Sequence, residues 1–162
     1  MSLEVLKQKM EIALKKLSGQ DLFLIQANTN ERTISHKLAE YLQDEFSDWN
    51  VDCEYNRHGN EVKRIELPTN NINWDDTEAK TVFPDIVVHK RNSDRNNLLI
   101  IEIKKSSNTM NRQFDENKLK AFTKEPYSYL FGLFLEISTD STGYSLTWSD
   151  KGGIIDKQRI QL

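Results

Sequence analysis

At 162 residues the chain is long enough for one hydrophobic core and short for two, so residues 1–162 read as a single domain. Hydrophobic residues make up 37% and charged residues 29%, with only six Gly and three Pro, which excludes extended disorder and fits an α/β protein in the α+β sense. The formal net charge of -3 excludes a general electrostatic pull toward nucleic acid, unless the cationic pairs Lys15-Lys16, Lys63-Arg64, Lys90-Arg91 and Lys104-Lys105 gather on one face.

Leu3, Leu6, Met10, Ala13, Leu14 and Leu17 recur at helical spacing, which predicts an amphipathic helix from Ser2 to Leu17, stopped by Ser18-Gly19 and lying as a lid on the core. A short apolar stretch, Leu22 to Ile25, precedes the polar run Gln26 to Asn30, whose Asn and Thr residues offer N-caps. A second helix follows, with Ile34, Leu38, Tyr41, Leu42 and Phe46 on one side. From Trp49 the period changes to two: Trp49, Val51, Cys53 and Tyr55 alternate with polar residues, as in a strand with one buried face, and Arg57-His58-Gly59-Asn60 reads as a turn. Val62, Ile65 and Leu67 suit a strand before an irregular loop from Pro68 to Lys80. Val82 to His89 and Leu98 to Lys104 are β-rich runs joined by a polar connector, which predicts an antiparallel hairpin. Phe114 to Phe122 reads as a helix, and Tyr127 to Ile137 and Tyr144 to Trp148 as strands separated by a turn at Ser138 to Gly143.

The lone Cys53 can make neither an internal disulfide nor a cysteine-based zinc cluster. No apolar run approaches a membrane span, and the first residues lack the apolar segment of a signal peptide, so a cytoplasmic location without a membrane partner is expected.

The chemistry concentrates in Leu98-Leu-Ile-Ile-Glu-Ile-Lys-Lys105, where an acid and a base interrupt an apolar strand. Residues two apart on a strand share a face, so Glu102 and Lys104 point the same way. With an odd-sum register, such as Asp85 opposite Glu102, Asp85, Val87 and His89 join Leu98, Ile100, Glu102 and Lys104 on that face; a slip of one residue removes Asp85 from it. Two half-buried carboxylates and an ammonium are costly unless paired with each other or with a metal ion. Mg²⁺, which takes oxygen ligands and only one or two protein carboxylates, suits Asp85 and Glu102 better than Zn²⁺ or Ca²⁺ does. Glu31 stands at the start of the core-facing stripe of the second helix and could point into the same site.

Phe83-Pro84-Asp85 followed by Glu102-Ile103-Lys104 on the next strand resembles the PD-(D/E)xK nuclease superfamily, and Glu31 resembles the extra acid that many members carry on a preceding helix. The wider run from Asn30-Glu31-Arg32 through Cys53-Glu-Tyr-Asn-Arg57 to Ile101-Glu-Ile-Lys-Lys105 looks like small bacterial members of that superfamily, and the likeness spans roughly residues 28 to 135. It implies a restriction-endonuclease-like core, a central mixed β-sheet flanked by helices, here with an extra N-terminal helix. It further implies Mg²⁺, with Mn²⁺ able to substitute, held by Asp85, Glu102, the Ile103 carbonyl and Glu31. Lys104 would position or activate the attacking water. The implied activity is hydrolysis of nucleic-acid phosphodiester bonds, with DNA expected ahead of RNA; a homodimer is compatible with the resemblance. The alternative is a module of the same fold that binds nucleic acid or protein without cutting.

Each of these residues also has a plainer reading. Glu102 and Lys104 can be a same-face ion pair on an edge strand, and Glu31 can answer the positive end of its helix. His89 fits a hydrogen-bonded residue, and Asp115 and Lys118 fit an ion pair within one helical turn, although Lys118 could instead meet a phosphate. Tyr55 shares the parity of the buried positions, while Arg57 is open to a contact with nucleic acid.

Overall fold

The structure is a computed structural model and describes residues 1–55, 57–58, 61–62, 83–91, 93, 96–108, 112–139 and 143–162. The chain opens with three helices, α1 (Leu3–Gln20), α2 (Leu22–Gln26) and α3 (Glu31–Glu45). The strands β1 (Asn50–Cys53), β2 (Arg57–His58), β3 (Glu61–Val62), β4 (Ile86–His89) and β5 (Asn97–Lys105) follow. After helix α4 (Arg112–Phe122) come β6 (Phe131–Ile137), β7 (Gly143–Asp150) and β8 (Gly153–Gln161).

The helix starts follow from local chemistry. Asn30 caps α3, its Oδ1 accepting from the Thr33 backbone N–H at 2.8 Å, and Ser2 caps α1 in the same manner. Helix α1 runs past the expected stop at Ser18-Gly19: the space beside Gly19 is open, and the helix closes only where the Asp21 N–H reaches back to the Leu17 carbonyl. The short apolar stretch from Leu22 is itself helical, and Arg57 and His58, expected in a turn, pair as β2 with β3.

The sheet follows the order β1-β4-β5-β6-β7-β8, antiparallel except for the β5–β6 pair, which α4 connects as a crossover. This is a mixed six-stranded sheet with helices on both faces. On one face α1 and α3 cover Ile86, Val88, Leu99, Ile101, Ile103, Leu133, Leu135 and Trp148; on the other α4 covers Val87, Ile100 and Phe134. Leu6, Met10, Leu14 and Leu17 are fully buried, so α1 is part of a core layer, not a lid. Strand β8 has no counterpart among the sequence-predicted elements. Its exposed and half-buried residues alternate, because only one of its faces meets the core and the strand lies at the sheet's margin.

Gly132 on β6 brings α4 close to the sheet. A Cβ there would sit 2.5 Å from Ser149 Oγ on β7, 3.2 Å from a Thr123 methyl just past α4 and 3.4 Å from a Leu119 methyl of α4, so a larger residue would press on β7 and on the α4 layer. The sequence-predicted loop from Pro68 to Lys80, and Ile65, Leu67 and Val82 with the strand positions proposed for them, lie outside the described residues.

If α1 is a core layer, Leu14→Ala lowers the free energy of unfolding by about 2–5 kcal/mol, whereas Phe23→Ala, at a 74% exposed position, changes it by less than about 0.5 kcal/mol. Urea denaturation followed by circular dichroism reads both; a small effect for Leu14→Ala would mark α1 as a detachable lid.

Candidate metal and phosphate site

Pairing of β4 with β5 joins Ile86 to Ile101 and Val87 to Ile100, the odd-sum register that sets Asp85 beside Glu102. A bulge between Val88 and His89 shifts the ladder at its far end, which turns Leu98 into the α1–α3 side of the core, away from the face it was expected to share with Ile100.

Asp85 precedes β4, and the backbone grips it from both neighbouring strands. Its carbonyl accepts from the Glu54 N–H at 3.2 Å as β1 ends, and its carboxylate Oδ2 accepts from the Ile103 N–H of β5 at 2.7 Å. Burial is the main cause that pushes its carboxyl up to about 6; the Ile103 hydrogen bond and the Lys118 charge oppose that rise, and the charges of Asp115 and Glu31 add to it. Asp85 also lines an open cleft of about 190 Å³ with Arg32, Ser35, Cys53 and Glu54. Arg32 is bound there to Glu54 at 2.8 Å.

Glu102 and Lys104 project from β5 toward α4, at 2% and 6% exposure. Because β5 lies between β4 and β6, this is not an ion pair on an edge strand. Nor do Asp115 and Lys118 pair with each other, as one-turn spacing suggested. Lys118 Nζ donates to Glu102 Oε2 at 2.6 Å, and Lys104 Nζ donates to Asp115 Oδ2. A helix that packs across a strand satisfies the strand's buried charges before its own surface, since an unpaired buried charge costs far more than an exposed one. The signal was present in the sequence: Glu102 and Lys104 two apart on a strand match Lys118 and Asp115 three apart on a helix, with opposite charges facing.

One oxygen stays unmatched. Glu102 Oε1 is fully buried and, among the described residues, has no hydrogen-bond partner, while burial, moderated by Lys118 and reinforced by Asp85, pushes the Glu102 carboxyl well above the usual range.

Glu31, the first residue of α3, accepts at Oε1 from the Lys105 N–H at 3.0 Å and from Asn108 Nδ2 at 2.9 Å. Lys105 Nζ in turn donates to Asn28 Oδ1 and the Thr29 carbonyl, each at 2.7 Å. These contacts fasten the start of α3 to the end of β5, one residue beyond Lys104, and bring the Glu31 charge within range of Asp85. His89 is buried away from this site, its Nε2 paired with Asp52 Oδ2 at 2.9 Å and its ring edge-on to Tyr55. Arg91 joins Asp52 too; burial pushes that carboxyl up, but the hydrogen bonds and charges of Arg91 and His89 together hold it below its usual range. Tyr55 packs into the α4-side core.

Among the described residues no group of three or more His, Cys, Asp or Glu converges on one point. No helix among the described residues is long and apolar enough to cross a membrane. Comparison with protein-family models, curated proteins and solved structures returns no match for this chain.

Folded Asp85 keeps its proton up to about pH 6 against a usual 3.8, so between these values the folded state binds more protons than the unfolded chain. This contribution to stability is present at low pH and lost as pH rises. In metal-free buffer the wild type therefore loses stability relative to Asp85→Asn as pH rises from about 4 to about 6, by no more than about 3 kcal/mol. Urea midpoints across that range measure the difference; a constant difference contradicts the assignment.

Proposed function

We propose that the protein is a Mg²⁺-dependent nuclease with a restriction-endonuclease-like core and a PD-(D/E)xK site formed by Asp85, Glu102 and Lys104. The observation that carries this reading is the buried Glu102 oxygen that has no partner among the described residues, on the strand next to Asp85. An oxygen so placed needs a proton or a cation, and two carboxylates on adjacent strands suit a hard ion that keeps most of its waters. Asp85 and Glu102 would hold Mg²⁺ or Mn²⁺, with the Ile103 carbonyl and Glu31 as further oxygen donors. Bound there, the ion supplies charge neutralisation at a phosphate and a more acidic water.

The chain's own residues supply the rest. Lys104, buried and held by Asp115, places a fixed cation beside the carboxylates, where it orients a water and opposes charge that develops on phosphate oxygens. Arg32 stands at the rim of the cleft that reaches Asp85.

Nucleic acid is the partner that this charge layout favours despite the net charge. The sheet register carries two rows from the site to the margin, Glu102–Phe134–Thr147–Lys157 and Lys104–Glu136–Ser145–Arg159. Lys157 and Arg159 are exposed and, among the described residues, form no ion pair; three strand spacings put them about 14 Å from the site, within reach of neighbouring phosphates. DNA is favoured over RNA, and a homodimer is consistent with the reading. A non-catalytic binding module on the same fold draws on a different observation: Lys118 and Asp115 already neutralise Glu102 and Lys104 without a metal.

Incubation of the wild type with single-stranded, duplex and branched DNA and RNA in Mg²⁺ or Mn²⁺ separates these readings. Cleavage is expected that falls by about 10²-fold or more in Asp85→Ala and in Lys104→Ala, with both variants folded. Binding without cleavage under every condition supports the non-catalytic module instead.

A further inference from the structure

Lys118 touches both halves of the candidate motif. Its Nζ donates to Glu102 Oε2 at 2.6 Å and to the carbonyl of Phe83, two residues before Asp85, at 3.4 Å. Its side chain is 9% exposed, and the Phe114 ring lies 5.9 Å from the ammonium. A lysine buried to this degree is costly unless its charge is used, and here one oxygen of Glu102 is occupied while the other is left open. On the same helix, Asp115 holds the Lys104 ammonium. The two residues of α4 thus fix, through one turn of helix, both chemical groups of β5.

Resting on the nuclease reading above, we propose that Lys118 is a positioning residue for the metal site: it anchors Glu102 by Oε2 and thereby presents Oε1, fixed in direction, to a divalent cation. The contrary role is that Lys118 fills the cation's place and must be displaced. The two roles predict opposite signs. An anchor strengthens metal binding, so its removal weakens it; a competitor weakens metal binding, so its removal tightens it. The Glu102 geometry favours the anchor, because the ammonium leaves Oε1 untouched and the Phe83 carbonyl gives it a second attachment outside the carboxylate.

Titration of the full-length chain with Mn²⁺, followed by the electron paramagnetic resonance signal of the free ion, tests this without reference to cleavage. The wild type is expected to take up Mn²⁺ in a manner lost in Glu102→Gln. Lys118→Gln, checked for folding by circular dichroism, binds about 10- to 100-fold more weakly, and Lys118→Arg, which keeps the charge, stays within a few-fold of wild type. Equal or tighter binding by folded Lys118→Gln overturns the anchor role and leaves the nuclease reading standing, whereas no uptake by the wild type overturns both. If Lys118→Gln does not fold, the wild type labelled with ¹³C-lysine decides. Substoichiometric Mn²⁺ should broaden the Lys118 ε-methylene resonance, assigned with Lys118→Arg, and a resonance left sharp overturns the proposal.

Discussion

A carboxylate in the middle of a central β-strand is the constraint around which the rest of the site is arranged. Glu102 sits between Ile101 and Ile103, whose side chains pack on the α1–α3 side, while its own enters the α4 side of the sheet. Removing an ionised carboxylate from water costs several kcal/mol unless counter-charge and hydrogen bonds replace the lost hydration. The fold meets part of that demand with one lysine from α4 and leaves the remainder open at Oε1. A chain selected for stability alone would place an apolar residue here, as it does at Ile100 on the same face.

Several separate elements converge to make this arrangement rigid. The β4–β5 register brings Asp85 beside Glu102, and the Ile103 N–H and Glu54 N–H fix the aspartate from opposite sides. Gly132 leaves room on β6 for Leu119 of α4 and for Thr123 just beyond it, on the face where Lys118 and Asp115 meet β5. The N-terminal turn of α3 is fastened to the end of β5 through Glu31 and Lys105, which adds a third acid to the electrostatic surroundings of Asp85. A site held by backbone hydrogen bonds and packed strands is one whose charges stay in place when a ligand arrives, and that preorganisation is what electrostatic catalysis requires.

Much of this was legible in the sequence because the signals were local and periodic. The alternation in Leu98 to Lys105 places Glu102 and Lys104 on one face, and polar Asn30 before the stripe starting at Ile34 marks the cap of α3. Features that depend on distant packing were harder to read. Asp115 and Lys118 satisfy the local rule for a helix ion pair, yet the demand of buried charges on β5 overrides it, and only the docking of α4 reveals that. Strand β8 escaped notice because its inward residues, Asp156, Gln158 and Ile160, lack a clean apolar alternation; its margin position lets polar residues stand where an inner strand needs apolar ones. The Leu98 displacement comes from a bulge, a feature of pairing and not of composition.

The central claim is that Asp85 and Glu102 together form a divalent-cation site. Its most direct test is a crystal structure grown with Mn²⁺, with data collected to reveal the ion by its anomalous scattering. The account predicts a peak in contact with an oxygen of each carboxylate, with Lys118 still on Glu102 Oε2. Ordered Asp85 and Glu102 with no anomalous peak between them, at a Mn²⁺ concentration that occupies other sites, would contradict it.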